Sequence, residues 1–268
     1  MKPTRIILIV CYYNKQDEID KTLECIQETF PIDIQLVDDG STTPPNIEHL
    51  RSIYKNGEIF LETLPKNQGL GKAANHGLKK CLERGHEFIG RLDCGDYVYP
   101  NKYAKQIKFL DENPDIYLVG TWAKMVDPKG NFIADIKHPT DPEAIKKRLL
   151  INNAFVNSSI LFRSSAIAKT GLYNEKYNRN AEDYAFFLQF AQHYKMANIP
   201  EYLLDYVLDP NSLSSLKRKQ QIRYRLKLNL EYFQFNTTSF QALIQNSIIY
   251  FIPRKTMIKL KKMLNYNG

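Results

Sequence analysis

The sequence predicts an α/β fold with a mostly parallel central sheet flanked by helices. Two observations carry this. Short β-branched apolar runs alternate with stretches of helical period over the first 126 residues, the order expected of β-α-β units. Polar, acid-bearing clusters then follow the runs that end near residues 11, 37 and 92, where such sheets collect ligands beyond the carboxyl ends of their strands.

Taken in order, residues 5–11 read as a strand buried on both faces, because the run is continuously apolar rather than alternating. Ile19, Leu23, Ile26 and Phe30 recur at helical spacing. Residues 34–37 form a second strand, 46–54 a helix and 59–64 a third strand. A helix over 71–84 places Ala74, Leu78 and Cys81 on one side. Residues 88–92 are a strand, 101–112 a helix and 117–126 a strand. Beyond these, 157–162 reads as a strand, 164–170 as a short helix and 181–194 as a longer one. Residues 200–215 are turn-rich, and two basic helical stretches follow over 216–235 and 239–264, the second interrupted at Pro253.

The 268 residues carry a net charge of +8, unevenly placed. From Lys217 onward eleven Lys or Arg face the single Glu231, so the tail holds +10 and residues 1–216 hold −2. A nucleic-acid footprint across the main domain is therefore not expected. Four cysteines at wide spacings, with no C-x-x-C pair, argue against a disulfide framework or zinc site and fit a reducing, cytoplasmic compartment. Only six apolar residues follow Arg5 before the polar Tyr12-Tyr13-Asn14-Lys15, too few for a signal peptide. No G-x-G-x-x-G follows the first strand, and Gly69-Leu70-Gly71-Lys72 lacks the spacing of a Walker A loop. The five histidines are scattered without ligand spacing and read as surface or capping residues. Asn157-Ser158-Ser159 and Asn236-Thr237-Thr238 match glycosylation sequons that a cytoplasmic location would leave idle.

Several clusters carry chemistry. Asp38-Asp39-Gly40-Ser41 closes the second strand with paired carboxylates, either facing a ligand crevice or capping a turn. Tyr13 offers an aromatic face to a base. Asp93-Cys94-Gly95-Asp96 offers carboxylates to a hard divalent cation bridging a diphosphate. Glu182-Asp183 opens a helix, where acids also serve as partners of the helix dipole.

Together these segments, with Cys11-Tyr12-Tyr13-Asn14, Asn67-Gln68-Gly69-Leu70-Gly71 and Tyr206–Ser212, occur in the order and spacing of the family-2 glycosyltransferases. The chain resembles that family from about residue 4 to 215. The resemblance implies a GT-A (nucleotide-diphospho-sugar transferase) domain over 1–215, with a nucleotide-binding half over 1–126 and an acceptor-side half over 127–215. It implies an inverting transfer from a nucleotide-sugar donor, UDP-linked or dTDP-linked, to a saccharide or lipid-linked acceptor in surface polysaccharide synthesis. By the same resemblance Asp39 holds the base, with Asp38 beside it, Cys11 and Tyr13 line it, and Asp93 serves the diphosphate. Asp183 is the implied catalytic base.

A Mn or Mg ion is implied at Asp93 and Asp96, with two departures. Gly95 stands where the family has its usual metal ligand, and Asp209 stands where it has a histidine. Either Asp209 compensates as a third ligand, or metal binds weakly and Lys or Arg side chains neutralise the diphosphate.

In the basic extension, 216–268, apolar residues from Ile248 to Leu264 interleave with Arg254, Lys255, Lys259, Lys261 and Lys262. That mixture suits a helix lying on an anionic membrane, which would place the protein peripherally on the inner face of the cell membrane; the alternative is a solvated helix packed on the main domain. Two rival functions stand beside the transferase. One is a non-catalytic nucleotide- or sugar-binding relative, against which Asp183 counts. The other is a nucleic-acid binder using the tail, which leaves the acidic clusters unexplained.

Overall fold

The computed structural model describes residues 4–208 and 218–252. The chain runs through β1 (Ile6–Tyr12), α1 (Gln16–Glu24), β2 (Asp33–Asp38), α2 (Ile47–Ile53), β3 (Ile59–Thr63), α3 (Leu70–Arg84) and β4 (Phe88–Arg91). There follow β5 (Tyr97–Val98), α4 (Lys102–Glu112), β6 (Ile116–Val126), β7 (Phe132–Ile136) and α5 (Pro142–Ile151). The second half continues with β8 (Leu161–Arg163), α6 (Ile167–Thr170), α7 (Glu182–Ala191) and β9 (Lys195–Val207), then α8 (Arg218–Glu231) and α9 (Thr237–Phe251).

The strands make one sheet in the order β3-β2-β1-β4-β8-β6-β9-β5, with β7 on β6. β3, β2, β1 and β4 are parallel, and β6 pairs parallel with β9. β8 lies antiparallel between β4 and β6 and so joins the two halves.

Strand β1 is buried on both faces, as its unbroken apolar run requires. Ile6, Leu8, Val10 and Tyr12 face a core shared with Ile19 and Leu23 of α1, Leu50 of α2 and Tyr103 of α4. Ile7 and Ile9 face the opposite core, with Ala74 and Leu78 of α3, Leu149 of α5 and the aromatics of α7. Helix α3 crosses the sheet so closely at Gly77 that a Cβ there would lie 2.9 Å from both Ile9 Cγ2 and Val37 Cγ2. Helix α2 begins at the Asn46 side chain, which accepts the His49 N–H, and α5 at Asp141, with Pro142 in the first turn.

The second half departs from the expected elements. Residues 157–159 form a 3-10 turn, and the strand begins only at Leu161. The stretch expected to be turn-rich from 200 is strand as far as Val207. Pro200 misleads because it occupies an irregularity: Thr121 pairs with Ile199 and Trp122 with Tyr202, leaving Pro200 and Glu201 in a bulge that needs no N–H from the proline. Helix α1 stops at Glu24, although Ile26 beyond it is still buried. The strands β5 and β7 and the helix α5 were not expected.

The basic extension packs on the main domain through α8 and α9. Leu228 of α8 is buried in the α7 core, Asn229 Nδ2 donates to Leu150 O at 2.7 Å, and Lys176 pairs with Glu231 at 2.6 Å. Residues 209–217 and 253–268, which include Asp209 and the five cations from Arg254 to Lys262, lie outside the described residues.

The α7 core rests on aromatic contacts, with Phe186 stacked on Tyr173 at 4.3 Å and edge-on to Phe162 at 5.7 Å. Phe186 is 0% exposed. Phe186→Ala is expected to lower the unfolding free energy by about 3–5 kcal/mol in urea titration. Replacing the exposed Phe240 by Ala should cost under about 0.5 kcal/mol. Equal losses would mean that the α7 core is not where stability resides.

Candidate active site

The turns after β1 and β2 are stitched together by hydrogen bonds. Asp39 N–H donates to Tyr12 O at 2.9 Å, Tyr12 Oη to Thr43 O at 2.9 Å, and Asn14 N–H to Ser41 Oγ at 3.0 Å. Asp38 is fully buried beneath the turn. Its Oδ1 accepts the Ser41 N–H, and its Oδ2 has no hydrogen-bond donor among the described residues. Gly40 is required here, since its φ is +69° and a Cβ would meet Lys66 C at 2.3 Å.

Asp39 points the other way. Its two oxygens accept the backbone N–H groups of Gln68 at 2.7 Å and Gly69 at 2.8 Å, at the amino end of α3. Those are unpaired helix-start donors, and a carboxylate there also meets the positive end of the helix dipole. Each oxygen keeps a further lone pair for a ligand donor. Asn178 completes the loop, accepting the Gly71 N–H at 3.0 Å and donating to Gln68 O at 2.8 Å.

After β4, the two aspartates of the 93–96 turn do different work. Asp93 is a third exposed, at 32%, and is oriented by the buried Arg91 at 2.8 Å and by Asn157 Nδ2 at 3.0 Å. Asp96 is buried. Its Oδ2 accepts the Ser158 hydroxyl and its Oδ1 accepts the Val207 N–H at 2.9 Å. Burial first, and then the charge of Asp93, push the Asp96 carboxyl up to about 7. Gly95 between them has φ +107°, and Lys15 Nζ lies 3.8 Å from where its Cβ would be.

At the start of α7, Asp183 accepts the Asn153 side-chain N–H at 2.9 Å through Oδ2 and the Tyr184 N–H at 2.7 Å through Oδ1. Burial raises its pKa, and Asp93 raises it further, against the hydrogen bond from Tyr184. Its neighbour Glu182 is raised to about 7 by burial and by the charge of Asp183.

Cys11, Tyr13, Asp39, Asp93, Asp96 and Asp183 all line one cleft of about 680 Å³, the size range of small-molecule sites. Asp38 does not line it. Lys15, Arg91 and Arg179 contribute positive charge to the same walls. Tyr13 is 45% exposed at the cleft, and the half-buried Cys11 thiol accepts from Arg91 Nη1 at 3.3 Å.

Sequence reasoning missed several side chains here. Arg91 reads as the end of a strand. Asn157 and Ser158 read as an idle sequon, yet they clamp Asp93 and Asp96. His138, expected at the surface, lines the cleft, where burial and then the charge of Arg148 lower its pKa to about 4 and leave it neutral at physiological pH. His86 is buried against Asp33 at 2.9 Å. The one sequence signal that could have found Arg91 is its place at a strand end just before an acidic turn.

Known proteins resemble this chain in sequence and in fold. The sequence model described as Glycosyl transferase family 2 matches residues 7–172. The amylovoran biosynthesis glycosyltransferase AmsE of Erwinia amylovora is 28% identical over 265 residues, covering 93% of this chain and 95% of that one. The UDP-Gal:alpha-D-GlcNAc-diphosphoundecaprenol beta-1,3-galactosyltransferase of Escherichia coli is 26% identical over 226 residues, 81% of this chain and 78% of its own. Residues 1–349 of S. aureus TarS, crystallised with UDP-GlcNAc, superpose with a TM-score of 0.68 at 19% identity, over 90% of this chain and 71% of that one. Against the longer TarS structure this chain spans 44% of the length, also at a TM-score of 0.68. At such identity the structural likeness establishes the GT-A fold, and the sequence match establishes the rest: this chain is an enzyme of glycosyltransferase family 2.

Proposed function

We propose that the enzyme is an inverting transferase that moves a sugar from a UDP-linked donor to a saccharide or lipid-linked saccharide acceptor at a membrane surface. The observation that carries this is the presence of Asp39 and Asp183 on one cleft, each held by the backbone N–H of a helix start. Asp39, with Tyr13 and Cys11, receives the base. Asp183 takes the acceptor hydroxyl proton as that oxygen bonds the anomeric carbon, while the carbon–oxygen bond to the diphosphate breaks on the opposite face. The Asn153 side chain fixes the direction of the Asp183 carboxylate. The 1–126 and 127–215 halves divide donor from acceptor in the same way, and 216–268 is the membrane-side extension.

A divalent cation fits the cleft through one carboxylate. Asp93 is the accessible acid of its turn, whereas Asp96 commits both oxygens to Ser158 and Val207. One protein carboxylate suffices for Mg²⁺ or Mn²⁺ when phosphate oxygens and water complete the shell. Bound there, the ion would supply Lewis-acid stabilisation of the leaving diphosphate. Lys15, beside Gly95 and paired with Glu18 at 2.6 Å, brings an ammonium group to the same turn. UDP is favoured as the nucleotide because the Escherichia coli relative, matched over 81% of this chain, is named for a UDP-Gal donor.

A panel of nucleotide sugars assayed for donor hydrolysis tests the whole assignment; turnover of none would overturn it. Asp183→Asn should retain donor affinity and lose about 10²–10⁴ in rate, since an amide cannot accept the proton. The base works ionised and its pKa is raised, so parent activity should fall as pH drops through a point above the usual carboxylate range. An Asp183→Asn enzyme at the parent rate would remove that residue from the role.

Asp39→Ala should weaken UDP binding by about 1–3 kcal/mol, read by calorimetry, through a lost buried hydrogen bond. Unchanged affinity would place the base elsewhere. Manganese should bind appreciably only when UDP is present, because one carboxylate alone holds it poorly. Full activity in excess chelator would show that Lys15 and its neighbours manage the diphosphate without an ion.

A further inference from the structure

Helix α9 is built inside out. Toward the protein it turns Ser239, Ala242 and Asn246, all buried. Toward solvent it turns Phe240, Ile244, Ile248 and Phe251, which are 52%, 62%, 54% and 81% exposed. These four recur at spacings of four, four and three, one continuous stripe along the helix. A surface helix of a water-soluble domain normally presents the opposite pattern. Six of the ten exposed large apolar side chains among the described residues fall between Leu230 and Phe251. An apolar patch of this concentration marks a contact surface.

The inward face is specified as firmly as a core. Asn246 donates to Ile151 O at 2.9 Å and to Asn229 Oδ1 at 2.8 Å, and Asn229 donates in turn to Leu150 O. Rotating α9 to bury the isoleucines would strand these amides without partners, at about 1–3 kcal/mol each. The outward stripe is therefore the orientation that the sequence selects. At its amino end it continues into an aromatic cluster, where Phe233 meets Phe235 at 5.3 Å and Phe240 at 5.1 Å.

We propose that α9 seats this stripe in the surface of an anionic lipid bilayer. The charge around it identifies the occupant. Helix α9 carries no charged residue, and no acid occurs anywhere from 232 to 268. Arg223 reaches the helix from α8, bonding Tyr250 Oη at 3.0 Å, and in sequence Arg254 and Lys255 come after Ile252 and Pro253 at its end. Apolar side chains that insert and cations that meet phosphate headgroups are the two components of interfacial anchoring. A second copy of the chain would bring two such cationic surfaces together and is opposed by their repulsion.

The inference deepens the membrane-side reading of the enzyme and rests on it for its purpose. The test keeps the two apart by measuring vesicle binding, UDP affinity and donor hydrolysis separately on the full chain. The parent should co-sediment with vesicles containing phosphatidylglycerol and bind phosphatidylcholine vesicles at least tenfold more weakly. Ile244→Glu combined with Ile248→Glu should lose at least tenfold in binding to the anionic vesicles with UDP affinity unchanged. If that double variant also loses UDP affinity, Ile244→Ser alone decides, by the same vesicle readout. Vesicle binding that survives these changes overturns the proposal. So does a parent dimer that the substitutions convert to monomer without altering vesicle binding, or vesicle binding that appears only once residues 253–268 are removed. Vesicle binding by a protein that hydrolyses no nucleotide sugar would sink the transfer reading and leave the docking surface standing.

Discussion

The cleft depends on one buried carboxylate. Asp96 accepts a hydroxyl from the turn before β8 and an amide from the end of β9, so two segments distant in sequence converge on its two oxygens. Lys102, fully buried in α4, donates to Ser158 O at 2.7 Å beneath the same turn, and burial lowers its pKa to about 7. A carboxyl pushed up and an amine pushed down, both toward neutrality, show that burial has nearly overcome the preference of each for its charged form. Such a cluster adds little to net stability when complete, but losing one member leaves the other buried and uncompensated. Its return is geometric. Asp93, three residues before Asp96, and Asn157, one residue before Ser158, are thereby held against each other at 3.0 Å.

The acids above that floor are crowded enough to alter one another. Asp93 raises the pKa of Asp183, and Asp183 raises that of Glu182. Crowded carboxylates are a feature of sites that move protons, because environment divides similar groups into different roles. Here one acid is turned inward as a tie, one is left accessible beside Arg91, and one is placed at a helix start with its lone pairs toward the cleft.

The first half of the fold was legible because its signals are local. A continuous apolar run can only be a doubly buried strand in such an alternation, and Asn46 announces its helix three residues ahead of the N–H it accepts. The second half resisted because its signals are relational. Pro200 argues against a strand until the bulge opposite Thr121 and Trp122 is known. Asn157-Ser158 has no meaning without the two aspartates that it meets. The resemblance brought Asp39 and Asp183 to notice, and they share the cleft; it grouped Asp96 with Asp93 as one kind of residue, and burial separates them. The basic tail offered a choice between packing and membrane contact; α9 packs on the main domain through Ser239, Ala242 and Asn246 and leaves Phe240, Ile244, Ile248 and Phe251 facing outward.

The loop at the start of α3 has a consequence for how such enzymes can be rebuilt. Its backbone is held from one side by Asp39 and from the other by Asn178 and Arg179, which belong to the second half of the chain. The sheet is likewise continuous across residue 126, since β9 returns to lie along β6 and Val207 is bonded to Asp96. The two halves of the chain are therefore not cassettes. Exchanging the second half for that of a relative would bring foreign side chains to the loop that Asp39 holds, so new specificity is more safely sought by altering single residues on the cleft wall than by grafting.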